Sequence, residues 1–205
     1  MNPALAAGLQ IASVVVLLAI LYVPVGDYMA RVYTSDKDLR IESVLYRVCR
    51  IDPRTEQTWY GYAGSLLGFS FASVLFLYVL QRVQGVLPIN GGLSGVSPAV
   101  AFNTAVSFVT NTNWQSYSPE TTMSNFTQPV GLAVQNFVSA AVGMAVAVAL
   151  IRALVRVRGT GEIGNFWVDL SRGSLRILLP GAFVIALILL SQGVIQSFHS
   201  GFTST

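Results

Sequence analysis

Apolar residues in this chain come in long unbroken blocks, without the alternating or three-four spacing of a soluble protein. Four blocks carry no charged side chain: Pro3 to Pro24, Tyr60 to Gln81, Val130 to Ile151 and Ile177 to Gln196. Each matches the roughly 20 helical residues needed to cross a hydrocarbon core. A fifth apolar segment, from Pro98 to Val109, is shorter. Ser97-Pro98 reads as its start, with Ser as N-cap and Pro in the first turn. At 1.5 Å per residue it would reach roughly 18 Å, too little to cross. A short apolar helix between two spans, followed by polar coil, predicts a loop that re-enters the membrane. Irregular backbone at that depth is tolerated only where protein buries it or water lines it. The expected fold is therefore an all-α integral membrane protein, with four transmembrane helices plus one re-entrant pore helix and filter loop.

Composition and charge sharpen this picture. The chain has 205 residues, of which 53% are hydrophobic and 10% charged, and its mean hydropathy is +0.62, which excludes an ordinary soluble domain. No basic residue precedes the first block and no small-x-small site follows it, so it reads as a retained anchor and not a cleaved signal. Arg31, Lys37, Arg40, Arg47, Arg50 and Arg54 lie between the first two blocks; Arg152, Arg156, Arg158, Arg172 and Arg176 lie between the last two. Only Arg82 lies on the other side. Basic loops stay inside, so both termini and the loop Val83 to Gln128 are expected outside. The basic residues alternate with Asp36, Asp38, Glu42, Asp52 and Glu56, which is not a nucleic-acid footprint. Cys49 and His199 each stand alone, and no nucleophile has a base at readable spacing, so no catalytic chemistry is expected.

The candidate chemistry sits in the loop between the second and third blocks. Asn103 to Tyr117 runs from apolar helix into a neutral Thr/Asn stretch closed by aromatic residues. Uncharged oxygens can replace the hydration shell of a potassium-sized cation without trapping it. The helix entering from outside would aim its negative end at the ion. Thr110, Asn111, Thr112 and Asn113 would offer main-chain and side-chain oxygens. Trp114 and Tyr117 would wedge the returning strand, Gln115 and Ser116 would keep its carbonyls aimed, and Glu120 would attract cations from outside. Gln135 and Asn136, polar within the third block, either line a pore or bond between helices.

Other segments read as scaffold. Gly64 with Gly68, and Ser139, Gly143 and Ala147, have small-residue spacing suited to helix contact. Asp38 to Arg50 predicts an amphipathic helix at the inner surface. Trp167 reads as an interfacial anchor.

The segment Asn103 to Tyr117 closely resembles the first selectivity-filter region of the potassium-binding subunit of the bacterial Kdp system, an ATP-driven importer. Gln135-Asn136-Phe137, Asn165-Phe166-Trp167-Val168-Asp169-Leu170 and Gln192-Gly193 resemble the same family. The resemblance implies a fold related to tetrameric potassium channels and Trk-type transporters, with four units of span, pore helix, filter and span plus extra helices. It implies that the filter ligands are Thr110, Asn111, Thr112 and Asn113, with Gln115 beside them, and that the family's Gly is replaced here by Pro119. It further implies a multi-pass protein of the bacterial inner membrane that holds potassium as cargo and needs no cofactor. Potassium would pass to a P-type ATPase catalytic subunit, with a single-span accessory subunit and membrane lipid as further partners.

On that pattern the chain divides into an extra span (1–24), an inner loop (25–59), one span–pore helix–filter–span unit (60–151), a second inner loop (152–176) and the first span of an incomplete second unit (177–205). It is therefore expected to be an incomplete subunit. The alternative is a homotetrameric potassium channel with one filter strand per chain, against which the trailing fourth span argues.

Overall fold

The structure, a computed structural model, describes residues 2–155 and 161–194. Arg156, Arg158, His199 and the expected end of the fourth span at Gln196 lie outside them. Among the described residues four helical segments are long and apolar enough to cross a membrane: Pro3–Tyr33, Trp59–Val86, Gln128–Val155 and Phe166–Ser191. The helices are α1 (Pro3–Tyr33), α2 (Arg40–Cys49), α3 (Trp59–Val83), α4 (Pro98–Val109), α5 (Pro119–Thr122), α6 (Val134–Val155), α7 (Phe166–Arg172) and α8 (Leu179–Ser191). A single 3₁₀ turn, Gln84–Val86, extends α3; a π-helical segment, Gln128–Ala133, opens α6; another, Gly173–Leu178, joins α7 to α8.

Two boundaries differ from the hydropathy blocks. The first helix does not stop at Pro24 but continues to Tyr33. A proline keeps a helical φ and forfeits one hydrogen bond, which a long helix tolerates. The fourth segment begins at Phe166, so Arg172 and Arg176 stand on a helix and not in a loop. Pro180 leaves the Arg176 carbonyl without its usual helical donor. The Tyr28 hydroxyl of α1 donates to that carbonyl at 2.6 Å, stitching the first helix to the fourth. The chain is also not wholly helical. β1 (Gln57–Thr58) pairs antiparallel with β2 (Glu162–Gly164), Gln57 opposite Gly164 and Thr58 opposite Glu162, with an irregularity between them. This ladder satisfies backbone groups where α3 and α7 start side by side.

Packing divides into two cores. At one end Leu77 of α3, Ala101, Ala105 and Phe108 of α4, Val96, Met123 and Leu132 form a buried cluster. At the other, Tyr62 of α3, Ala145 and Ala149 of α6 and Phe166 of α7 form the second, with Phe69 and Trp167 against it. Trp167 meets Phe69 and Phe166 edge to face, so it packs between helices and is more than a surface anchor. No residue in the most apolar window of the first span is buried. The glycines of the small-residue stripes touch nothing within the described residues: a Cβ added at Gly64, Gly68 or Gly143 would meet nothing within 4 Å.

The second core is bounded by a belt of ion pairs. Asp169, 1% exposed, accepts from both terminal nitrogens of Arg152 at 2.6 and 2.9 Å, and the Tyr62 hydroxyl lies 3.2 Å away. Arg172 reaches Asp38 at 3.0 Å, and the buried Glu42 accepts from Arg176 Nε at 2.7 Å. These bonds tie the segment after α1, helix α2 and the foot of the fourth helix into one block. A polar cavity of about 390 Å³ opens there, lined by Arg54, Arg152 and Arg172 among others. All three arginines pair with carboxylates, so the cavity is part of the scaffold.

Candidate functional site

Helix α4 forms over the residues expected from the sequence. Ser97 is its N-cap residue and Pro98 its first helical residue, although the Ser97 hydroxyl makes no cap bond. The approach to α4 is tight: a Cβ on Gly95 would lie 2.3 Å from the Arg82 carbonyl oxygen, so only glycine lets the two backbones touch. Two buried amides brace the region. Gln81 Nε2 donates to the carbonyls of Leu77 (2.9 Å) and Ala101 (3.2 Å). Gln84 Nε2 donates to Ser94 and Thr122, both at 2.8 Å, while its Oε1 accepts from Ser124 N–H at 3.0 Å. Sequence reasoning missed both residues. The available signal was an amide at the very end of an apolar span, where a buried polar group needs partners.

The C-terminal end of α4 is closed by a Schellman-type turn. Asn111 takes the left-handed conformation at φ +58°. Its N–H donates to the Phe108 carbonyl at 3.3 Å, and Thr112 N–H donates to Ser107 at 3.0 Å. Asn at this position is the usual substitute for glycine, because its short side chain tolerates φ above zero. Asn113 repeats the conformation at φ +56°, and its N–H also reaches the Ser107 carbonyl, at 3.2 Å. The Ser107 hydroxyl donates to the Trp114 carbonyl at 2.8 Å, clipping the returning strand to the helix. Ser139 of α6 donates to Asn111 Oδ1 at 3.2 Å, clipping it to the third span. The N–H groups of the turn thus point into α4. Among the described residues the carbonyls of Thr110, Thr112 and Asn113 accept no hydrogen bond.

The residues singled out from sequence are distributed as follows. Thr110, Asn111 and Thr112 are exposed and Asn113 is half-buried. The hydroxyls of Thr110 and Thr112 are 3.0 Å apart, and both residues line a groove of about 320 Å³ with Asn103, Val106, Ser107 and Trp114. Trp114 is 57% exposed, whereas Tyr117 is half-buried and packs against the first core. Gln115 Nε2 reaches the Tyr117 hydroxyl at 3.3 Å and not the free carbonyls. Ser116 is exposed, with no hydrogen bond from its side chain among the described residues. The hydroxyls of Ser107 and Ser139, which sequence reasoning left as a helix residue and a packing residue, hold the Trp114 carbonyl and the Asn111 side chain. Gln135 is buried and Asn136 exposed on α6, one turn before Ser139. Pro119 opens α5, and Glu120 stands exposed beside it.

Four apolar spans with a short apolar helix tucked between two of them define a multi-pass membrane protein. Comparison with known sequences narrows the class. The chain belongs to the family of the potassium-transporting ATPase A subunit, whose profile matches residues 12–205. The potassium-transporting ATPase potassium-binding subunit of Rhodococcus jostii is 83% identical over 205 residues, covering 100% of this chain and 36% of the relative. That of Mycobacteroides abscessus is 70% identical over 216 residues, covering 100% of this chain and 38% of the relative. That of Mycobacterium avium is 58% identical over 191 residues, covering 92% of this chain and 34% of the relative. The chain therefore spans a little over a third of the length of the curated relatives it matches.

Proposed function

We propose that the chain supplies one strand of a potassium-selective site, with Thr110, Asn111, Thr112 and Asn113 turned toward a cation that approaches from outside the cell. The observation that carries this reading is the trio of unbonded, uncharged carbonyls at the C-terminal end of a short apolar helix. The turn holds its N–H groups inward, so its oxygens are left for another partner. A helix C-terminus adds roughly half a negative charge, which favours a cation without binding it irreversibly. Helix α4 acts as a pore helix re-entering the membrane, in a fold of the potassium-channel and Trk type. Asn136 contributes to the wall above Ser139, while Gln135 serves packing.

One strand gives a potassium ion only part of its coordination, so the remaining oxygens come from equivalent strands. The names of the relatives, potassium-binding subunits of potassium-transporting ATPases, support potassium as cargo. The chain itself does no chemistry on ATP; it hands the ion to a P-type pump subunit, with a single-span subunit completing the assembly. The basic end faces the cytoplasm of a bacterial inner membrane, and the N-terminus faces outside.

The test is direct. The segment is placed in the complete Rhodococcus jostii relative in exchange for its matching part, and the assembly is crystallised with thallium(I) as an anomalous potassium substitute. Thallium density within coordination distance of the Thr110, Thr112 and Asn113 carbonyls is expected. Ordered density only at sites remote from this turn refutes the assignment.

A further inference from the structure

Helix α2 carries its hydrophobic residues on the wrong side for a protein surrounded by water. Ile41, Val44, Leu45 and Val48 fall one turn apart on a single stripe, and all are exposed, Val48 by 74%. The residues turned toward the protein are one carboxylate and one phenol: Glu42 and Tyr46 are the buried pair of this helix. Glu42 is locked there by Arg176 and by the Leu39 N–H, which it accepts at 2.8 Å. Burial first, and the Glu42 charge second, push the Tyr46 phenol up to about 12, so it stays neutral. At about 100° per residue, the apolar stripe lies roughly 130° from the buried one. A third stripe, Arg40 and Arg47, lies between them on the remaining side, and Arg50 caps the helix. All three arginines are exposed, and among the described residues none pairs with a carboxylate.

We propose that α2 lies in the headgroup layer of the membrane, its apolar stripe in the acyl boundary and Arg40 and Arg47 on the phosphates of anionic phospholipids. Three observations choose lipid as the occupant. The helix is clamped to the feet of membrane-crossing helices through Arg176–Glu42 and Arg172–Asp38. Leu39, which precedes the helix and is itself exposed, shares a groove with Val32 of α1 and with Leu175 and Pro180 of the fourth segment, so the start of α2 sits against two membrane-crossing segments. The flanking guanidinium groups complement phosphate and lie on the stripe next to the apolar one, as in helices that sink about 5–10 Å into a membrane surface. This placement does not depend on the potassium reading.

The test uses the full chain with Cys49→Ser, carrying either Val48→Cys or Ser43→Cys labelled with bimane. The labelled chain is reconstituted in vesicles of phosphatidylethanolamine and phosphatidylglycerol. Lipids brominated near the headgroup end of the acyl chain are expected to quench most of the Val48→Cys signal and little of the Ser43→Cys signal. Aqueous iodide is expected to do the reverse. A Val48→Cys label reached by iodide and not by bromolipid overturns the proposal, as does one reached by neither, which would mean that protein covers the stripe. Equal bromolipid quenching at both positions overturns it too. For the headgroup contact, exchanging phosphatidylglycerol for phosphatidylcholine is expected to reduce Val48→Cys quenching in the parent, and to leave it unchanged after Arg40→Gln and Arg47→Gln. Equal losses in both would refute the role of the arginines.

Discussion

The Asp169→Asn substitution is the sharpest probe of the scaffold that carries the site. It keeps the side-chain volume and removes one charge from a carboxylate that is 1% exposed. That carboxylate holds Arg152 through two bonds of 2.6 and 2.9 Å. Once it is neutral, Arg152 keeps one amide oxygen at position 169 and the carbonyls of Ile163 at 3.3 Å and Tyr33 at 3.4 Å, and faces no opposite charge. Breaking a buried pair costs about 3–5 kcal/mol, because the surviving charge loses its partner and not its desolvation. Arg152 is 20% exposed and keeps some water, so the lower end applies, about 3 kcal/mol. Arg152→Met, which strands the fully buried carboxylate, is expected to cost more, about 5 kcal/mol. Asp169→Asn combined with Arg152→Met is expected to cost less than the sum of the two single variants, with a coupling of about 2–3 kcal/mol. Equilibrium unfolding in mild micelles, followed by fluorescence of Trp167 in the same core, measures all of these variants. Asp169→Asn within about 0.5 kcal/mol of the parent, or a cycle with no coupling, refutes the argument. Potassium affinity of the folded Asp169→Asn protein should be unchanged, because the belt lies at the opposite end of α6 from the turn that follows α4.

Other expectations follow from local geometry. Asn111→Gly should preserve the end of α4, whereas Asn111→Val, a β-branched residue at φ +58°, should cost about 1–2 kcal/mol in the same unfolding assay. Gln115→Arg places a fixed positive charge near the proposed cation; at about 6 Å and an effective dielectric of about 20 the repulsion is roughly 2–3 kcal/mol. Because Gln115 is exposed, a loss nearer tenfold than a hundredfold in potassium affinity is expected, read from rubidium uptake by the exchanged Rhodococcus subunit; unchanged affinity removes Gln115 from the site. Gly164→Ala puts a Cβ 2.1 Å from Arg152 Nη1 at φ +106°, so it should destabilise by more than about 2 kcal/mol, measured by unfolding.

How much was legible in the sequence varies with the kind of feature. Span number and the short fifth helix were, because hydrocarbon solvation depends on length and composition alone. The Thr/Asn run was conspicuous because uncharged oxygen donors between two spans are unusual. The interior of the site was not. Ser107 and Ser139 looked like ordinary helix residues, and their roles depend on a strand seven residues downstream of one and on a different helix for the other. Gln81 and Gln84 looked like the polar end of a span, and only the folded chain shows which carbonyls they serve.

By itself the sequence determined that this chain crosses the membrane, that a helix too short to cross sits between two crossings, and that its outlet is neutral. All of these are properties of consecutive residues, set by the cost of leaving polar backbone in lipid. Only the tertiary structure decided that Asn111 and Asn113 turn their N–H groups inward and that, among the described residues, the carbonyls of Thr110, Thr112 and Asn113 accept no hydrogen bond. It also decided that Arg152 finds Asp169 and that α2 turns its aliphatic stripe away from the protein. Those outcomes depend on which distant groups meet, and a hydrogen bond or an ion pair is worth something only when both partners arrive in the same place with the right geometry.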